Sequence, residues 1–151
     1  ESYDKYQIVN INDFAMNSMD LLTGWVDCSK FEGVTSPDYR VFKFVENKVQ
    51  CHAYYTYFFQ LCYTNRIFYR LGQGVSNLGR WRLQAEQFLN MYLPKPNFKE
   101  QQQIATYLDN KSDQINTLKI DIMKQIDNLK NYRKILIRDA VTGKINVAKV
   151  E

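Results

Sequence analysis

Histidine, proline and cysteine are scarce in this chain of 151 residues, and their scarcity excludes several kinds of protein. A single histidine and the lack of any Cys-x-x-Cys pair leave no ligand set for a zinc site. Three cysteines are an odd number and do not make a disulfide scaffold, so we expect a reducing, cytoplasmic compartment. None of the three prolines is in tandem, so the chain lacks the (N/D)PP(Y/F) tetrad of amino-methylating enzymes. We therefore expect that it does not methylate bases unaided.

Long apolar segments are also missing. No run of about 18 apolar residues occurs, so we expect no transmembrane helix. The first four residues have neither the basic nor the apolar region of a signal peptide, and we expect no such peptide. Hydrophobic residues make up 45% and charged residues 24% of the chain, which is typical of a folded globular protein.

Aromatic residues are plentiful, but they are distributed unevenly. Residues 1–93 contain 19 of the 22 aromatic residues and carry no net charge, whereas residues 94–151 contain the other three and the whole formal charge of +4. The segment between them, Leu93-Pro94-Lys95-Pro96-Asn97, has two prolines in three residues and indicates a boundary. The sequence therefore predicts an aromatic domain followed by a helical region.

The aromatic domain is itself dipolar. Residues 1–38 have a net charge of −5, while residues 47–85 contain five basic residues and no acid. These five are Lys48, Arg66, Arg70, Arg80 and Arg82. An acid-free stretch of this kind is where we expect a polyanion such as nucleic acid to bind.

The secondary structure of this domain can be predicted in part. Residues 6–11 and 39–45 are rich in β-formers and predict strands, and the apolar spacing of residues 53–63 predicts a helix. Residues 66–71 fit either a strand or a continuation of that helix. Residues 71–79 form a glycine-punctuated segment, called the glycine loop below. Short β-like structure is expected at 80–83, and a final strand at 88–93.

The helical region begins and ends with recognisable caps. Asn97 and, three positions later, Glu100 form a capping-box pattern, and Gly143 suits the residue that follows a helix. A seven-residue repeat predicts a long helix over about residues 112–140, and its six apolar residues form the predicted pairing seam: Ile115, Leu118, Ile122, Leu129, Tyr132 and Leu136. Such a narrow seam is not stable alone and needs a partner helix, from another chain or from a missing part of the same protein.

Three patterns could carry chemistry, and each has a simpler structural interpretation. Asp38, Glu46 and Lys48 resemble the PD…ExK core of a nuclease superfamily, in which two carboxylates hold Mg²⁺, but so short a pattern often occurs by chance. The adjacent Cys51 and His52 point in different directions on one element, which favours a structural histidine over a nucleophile pair. The Tyr/Phe cluster within residues 54–59 could stack on bases, but at helical spacing it favours a core.

The motifs around the boundary resemble a known family. The pattern P-x-P…EQ…IA…L of residues 94–108 and the AVTGKI segment of residues 140–145 resemble the conserved helical region of type I restriction-modification specificity (S) subunits. Upstream, segments within residues 17–25 and 34–39, with Gly72-Gln73-Gly74, resemble the target-recognition domain of the same subunits. The resemblance covers nearly the whole chain, and it accounts for Pro37-Asp38-Tyr39 without a nuclease.

The resemblance implies a non-catalytic DNA-recognition subunit. Such subunits have two recognition domains, each followed by a long helix, and the two helices pack antiparallel and dock methyltransferase subunits. Those partners supply S-adenosylmethionine and methylate adenine, and a separate restriction subunit cleaves DNA, so the chain itself needs no cofactor or metal. A single domain and a single helix make this chain half an S subunit, whose helix would pair with the other half or with a second copy. We expect the first strands of the recognition domain to be missing before Glu1.

The expected fold is therefore α+β: a mixed α/β target-recognition domain at residues 1–93, followed by a conserved helical region at 94–151 with a coiled-coil-type helix. We expect Lys48, Arg66 and Arg70 to contact phosphates of duplex DNA. Base edges would be read near the glycine loop by Gln73, Ser76, Asn77, Arg80 and Arg82. The alternatives are a Mg²⁺-dependent nuclease and a purely structural coiled-coil assembly protein.

Overall fold

The computed structural model describes residues 5–45, 50–72 and 82–146. The chain divides into two compact units, Glu1–Thr106 and Tyr107–Glu151. The strands are β1 (Gln7–Val9), β2 (Phe14–Asn17), β3 (Val26–Cys28), β4 (Gly33–Thr35) and β5 (Tyr39–Phe42). The helices are α1 (His52–Thr64), α2 (Ile67–Leu71), α3 (Ala85–Leu89) and α4 (Phe98–Val141). This α+β composition confirms the predicted fold class.

Two small antiparallel sheets make up the β part of the first unit. In the three-stranded sheet, β2 lies between β3 and β5, and Ala15 is opposite both Asp27 and Val41. The second sheet pairs β1 with β4. The side chain of Gln7 joins the two sheets, since its Nε2 donates to Tyr39 O at 2.5 Å and its Oε1 accepts from Val41 N at 3.3 Å. One amide thus replaces a missing row of backbone pairs between β1 and β5.

An aromatic core lies between the three-stranded sheet and α1. Phe14 and Phe59 are almost fully buried, and their ring centroids are 5.4 Å apart in an edge-to-face arrangement. Phe42 stacks on Phe14 at 5.2 Å, and Tyr55 is also buried. Aromatic pairs at such distances stabilise a core beyond the area they bury. The core interpretation of the Tyr/Phe cluster is therefore confirmed for Tyr55 and Phe59.

A left-handed residue separates α1 from α2. Arg66 has φ of 56°, and a second helix begins at Ile67, so residues 67–71 are helical and not a strand. The turn places Phe68 in the core, where its ring centroid lies 5.0 Å from that of Tyr63. The break allows two helical segments to face one core, which a straight continuation of α1 would not do.

The strand predicted over residues 88–93 is wrong. Residues 85–89 form α3, and residues 91–97 have no regular secondary structure. Phe88 and Met91 both pack against the core, whereas Leu89 and Tyr92 are exposed. Buried positions three residues apart follow the helical period and not the alternation of a strand, and this is why the β-like composition misleads here.

The caps of α4 were predicted correctly. Asn97 Oδ1 accepts from Glu100 N at 3.0 Å, and beyond the last turn Gly143 has φ of 73°. The helix is continuous over 44 residues, so the heptad segment predicted over about residues 112–140 is the C-terminal part of a helix that begins at Phe98. The polar stretch 109–113 contains no proline or glycine, and charged or amide side chains there are compatible with a helix.

Gln101 ties the start of α4 to the first unit. Its side chain is buried; its Oε1 accepts from Cys51 N at 2.8 Å, and its Nε2 donates to Pro96 O at 2.8 Å. Cys51 is the N-cap of α1, so a single amide satisfies backbone groups at the beginning of α1 and just before α4. Tyr55 adds a hydrogen bond from its hydroxyl to Pro94 O at 3.2 Å.

We expect Gln101→Leu to destabilise the protein by about 2 kcal/mol, because it leaves a partly buried N–H and a partly buried carbonyl without partners. Urea unfolding followed by circular dichroism measures this change. Gln102→Leu is the matched control, since Gln102 is exposed on the same turn and should change stability by less than about 0.5 kcal/mol. Equal midpoints for the two variants would show that the Gln101 bonds contribute nothing.

Candidate nucleic-acid interface

The segment from Asn17 to Trp25, called the β2–β3 loop below, is shaped by its own polar side chains. Asn17 Oδ1 accepts from the backbone N–H groups of Met19 and Asp20, both at 3.1 Å. Asp20 Oδ1 accepts from Leu22 N at 3.0 Å and from Thr23 N at 2.9 Å, and the Thr23 hydroxyl donates to Asp20 Oδ2. The hydrogen bond from the Thr23 hydroxyl, with those from the backbone, lowers the pKa of Asp20.

The same loop is anchored to the core. Leu21 is fully buried, and the Tyr63 hydroxyl donates to Asn17 O. Gly24 N donates to Asp20 O at 3.0 Å, and a Cβ at Gly24 would lie 2.0 Å from that oxygen, so only glycine fits. The loop is therefore a preorganised platform whose shape does not depend on a ligand.

The described residues that precede and follow residues 73–81 both meet this platform. On one side, a Cβ added to Gly72 would lie 2.6 Å from Leu21 Cδ1. On the other, Leu83 N donates to Ser18 O at 3.1 Å, and Arg82 Nε lies 2.8 Å from Met19 Sδ. Sequence reasoning missed this neighbourhood, because the two segments are about 50 residues or more apart in the chain and no local pattern links them.

Three of the predicted DNA-binding residues can be placed. Arg66 is at the left-handed corner between α1 and α2, Arg70 is in the last turn of α2, and Arg82 follows the glycine loop; all three are exposed. Among the described residues, no carboxylate lies within 4 Å of any of them. Arg70 and Arg82 thus flank the glycine loop as cations with no carboxylate partner in the described part of the chain. The other predicted contacts lie outside the described residues: Lys48, Gln73, Ser76, Asn77 and Arg80.

Two large apolar side chains protrude from the platform. Trp25 is 50% exposed and Leu22 is 54% exposed, while the neighbouring Leu21 is buried in the core. The Trp25 ring lies against Tyr63, with centroids 6.3 Å apart. In the sequence, this position is marked by Gly24-Trp25 directly before a strand, and no other local signal draws attention to it.

The alternative chemistries find little support among the described residues. The His52 ring packs between Phe14 and Phe44 at 5.8 Å from each, and burial lowers its pKa, as expected for a structural histidine. Within residues 5–45, 50–72 and 82–146, no three histidine, cysteine or acidic side chains are grouped so as to hold a metal ion. Asp38 is exposed, and the other two residues of the nuclease pattern, Glu46 and Lys48, lie outside the described residues.

The second unit exposes the predicted pairing seam on α4. The six seam residues range from 39% exposed at Leu136 to 67% at Leu129. Ile126, 44% exposed, lies on the same stripe, one turn after Ile122 and about one turn before Leu129. A strict seven-residue repeat places Gln125 there and misses Ile126, whereas the helical period of 3.6 includes it. Across the described part of the chain, no helix is apolar over the length that a bilayer requires.

Comparison with known proteins gives one finding. A family model described as the type I restriction modification DNA specificity domain matches residues 1–130. The match includes the β2–β3 loop, the glycine loop, all three placed arginines and most of the pairing seam. Neither the curated proteins nor the solved structures gave a significant match.

Proposed function

The chain belongs to the family of type I restriction modification DNA specificity domains, and we propose that it recognises one half-site of duplex DNA without catalysing a reaction. In this proposal it reads DNA through the first unit and docks methyltransferase subunits through α4. The observation that carries it is the pair of exposed arginines, Arg70 and Arg82, which flank the glycine loop without a carboxylate partner among the described residues.

Phosphate binding follows from the charges on this surface. Guanidinium groups with no carboxylate partner among the described residues are available to neutralise phosphates and release counterions, so affinity should fall steeply with salt. The amide and hydroxyl side chains of the glycine loop, with Arg80 and Arg82, would then reach base edges, where each bidentate contact discriminates by about 1–3 kcal/mol. The preorganised β2–β3 loop supports this assignment because it holds both stems of the glycine loop in place.

The exposed seam of α4 supports pairing with a second helix. From Tyr107 to Val141 the helix spans about 52 Å at 1.5 Å per residue, and a stripe of exposed Ile and Leu side chains runs along it. A helix of this kind is stabilised in water by burying the stripe against a partner helix. The proposed partner is the corresponding helix of another specificity half or of a second copy.

The distribution of charge along α4 favours an antiparallel pair. Residues 107–122 carry two lysines and three aspartates, a net charge of −1, while residues 123–141 carry five basic residues and two aspartates, a net charge of +3. A parallel pair would place the two +3 segments side by side, whereas an antiparallel pair places each beside a −1 segment. Basic residues outside the seam, such as Lys119, Lys124, Lys130 and Arg133, would face solvent or the methyltransferase subunits.

The cofactor and the reaction belong, in this proposal, to the partners. S-adenosylmethionine would be bound by the methyltransferase subunits and Mg²⁺ by the restriction subunit. The test is selection of bound duplexes from a random pool by the chain together with a methyltransferase subunit. A recurrent sequence motif is the expected result, and enrichment of no motif would contradict sequence recognition. Loss of duplex binding even at low salt, with helix pairing intact, would favour a purely structural assembly protein.

A nuclease test separates the remaining alternative. We expect supercoiled plasmid incubated with the purified chain and Mg²⁺ to remain uncut, since we assign no catalytic role to Asp38. Agarose electrophoresis is the measurement, and a plasmid reaction with a Mg²⁺-dependent endonuclease is the positive control. Cleavage that disappears in Asp38→Ala would establish the Asp38/Glu46/Lys48 nuclease and overturn the non-catalytic assignment.

A further inference from the structure

The polar side chains of the β2–β3 loop are already engaged within the protein. The Asn17 side-chain oxygen accepts two backbone N–H groups, the Asp20 carboxylate accepts two more and a hydroxyl, and that hydroxyl belongs to Thr23. A base donor that sought the Asn17 or Asp20 oxygens, or a phosphate that sought the Thr23 hydroxyl, would have to break bonds that shape the loop. The loop therefore has little capacity for hydrogen-bond readout through these oxygens and this hydroxyl.

Two apolar side chains remain at its surface. Leu22 and Trp25 are each about half exposed, and each lies next to a residue that the fold holds firmly, Leu21 in the core and Gly24 against Asp20 O. Trp25 is further positioned by its contact with Tyr63 and by the hydrogen bond from Asn17 N to Trp25 O at 3.0 Å. A half-exposed indole on a rigid loop costs free energy in water, and that cost is recovered when a ligand covers it.

The surroundings indicate which ligand would cover it. The β2–β3 loop touches Gly72 and Arg82, the two ends of a segment with two arginines and no acid, and Arg70 is two residues before Gly72. The one carboxylate in the loop, that of Asp20, is surrounded by donors. This combination of an exposed aromatic ring with exposed arginines, which have no carboxylate partner within the residues that the structure describes, is typical of surfaces that bind nucleic acid.

We propose that Trp25 and Leu22 form an apolar wedge that contacts the bases of duplex DNA beside the glycine loop. The inference rests on the proposed DNA-recognition function and adds a second contact element to it. Apolar side chains contribute to DNA recognition by contacting thymine methyl groups or by inserting at base steps, and neither mode needs a free polar group. The wedge would thus add affinity that does not depend on salt.

Single-tryptophan variants test the contact directly. Trp81→Phe leaves Trp25 as the only indole, and Trp25→Phe leaves Trp81. A fluorescein-labelled 30-base-pair duplex of mixed sequence, at low salt, reports binding by anisotropy. We expect the emission of Trp25 to change, and its quenching by acrylamide to fall, over the same duplex concentrations that raise the anisotropy.

The outcomes separate this inference from the function on which it rests. If the duplex binds but Trp25 keeps both its emission and its accessibility to acrylamide, the wedge is wrong and DNA recognition stands. If the duplex does not bind at all, DNA recognition fails, and the wedge fails with it.

A salt series tests the nature of the contact. Trp25→Ala should weaken duplex binding by about tenfold without changing the slope of log K against log salt, because the lost contact is apolar. Phe31→Ala is the matched control: Phe31 is an exposed aromatic residue on the turn between β3 and β4, and its removal should leave affinity unchanged. Equal losses for the two variants, or a lower slope for Trp25→Ala, would refute the wedge. If Trp25→Ala does not fold, the emission and acrylamide quenching of Trp25 in Trp81→Phe decide whether the wedge contacts DNA, with Trp25→Phe as the variant that lacks this indole.

Discussion

Replacing Ile122 and Leu129 together by aspartate should convert the homodimer proposed for this chain to monomers. Both side chains lie on the exposed seam of α4, at 54% and 67% exposure in the isolated chain. In a pair of helices each would insert between side chains of the partner, and seven residues separate them, so both face the same way in a coiled coil. Sedimentation velocity at micromolar concentration measures the change.

The expected effect is large because a symmetric dimer carries each substitution twice. Burial of one large aliphatic side chain contributes about 1.5–3 kcal/mol, and four such side chains are lost. The dissociation constant should therefore rise by at least about 10⁴-fold, before the cost of desolvating the new carboxylates is added. No variant in the first unit should have this effect, because we assign pairing to α4 alone.

A double variant on another face of the same helix is the control. Ile120→Asp and Ile135→Asp introduce the same charges at two exposed isoleucines that lie off the seam, so dimers should persist. Monomers from both double variants would mean that charge or loss of helix stability is responsible, and circular dichroism would distinguish these causes. A parent chain that is already monomeric would contradict homodimer formation and leave only the other specificity half as the partner.

The extent to which the sequence predicts the fold depends on the length of each element. The helices α1 and α4 are long enough for periodicity to reveal them. For α1, the apolar spacing picks out Tyr54, Tyr57, Phe58, Leu61 and Cys62, whereas the structure buries Tyr55, Phe59, Cys62 and Tyr63. Strands β2, β3 and β4 have three or four residues each, too few to show alternation above chance. For α3, β-like composition conflicts with helical spacing over only five residues, and the spacing prevails because Phe88 packs against Phe42.

Two side-chain amides join elements of the fold, and no sequence pattern indicates these connections. Gln7 joins the two sheets and Gln101 joins α1 to α4, yet each looks like an ordinary polar residue in the sequence. Their role depends on which backbone groups lie opposite them, and this is known only once the chain is folded. The motif that contains Gln101 resembles that of a known family, but the resemblance does not show what Gln101 does. The physical role of Gln101 comes from its two hydrogen bonds.

The positive charge of the candidate interface could be predicted from the sequence, but the set of segments that form the interface could not. An acid-free segment with four arginines is visible in the sequence. The three that the structure describes are exposed, and no described carboxylate pairs with them. The β2–β3 loop lies in the acidic part of the sequence, so charge counting excludes it. It joins the interface because Asp20 is held by internal donors and because Ser18 and Leu21 contact the two ends of the glycine loop.

Replacing Arg66, Arg70 and Arg82 together by glutamine should lower the salt dependence of duplex binding more than any other change in the first unit. Each phosphate contact contributes about 0.9 to the slope of log K against log salt. Three lost contacts lower the slope by about 2.7. When salt rises from 50 to 200 mM, the factor by which affinity falls should therefore be about 40 times smaller for the variant than for the parent. Anisotropy titrations of one duplex at several salt concentrations measure the slope.

The matched control removes three positive charges from elsewhere in the same unit. Lys5, Lys30 and Lys43 are all exposed, and their replacement by glutamine changes the net charge by the same amount. Because Debye screening at these salt concentrations limits the reach of a charge to about 10 Å or a little more, lysines that do not contact phosphates should leave the slope nearly unchanged. An equal fall in slope for both triple variants would mean that net charge alone drives binding. An unchanged slope for the arginine variant would place the phosphate contacts elsewhere in the chain, while a fall confined to that variant locates them beside the glycine loop.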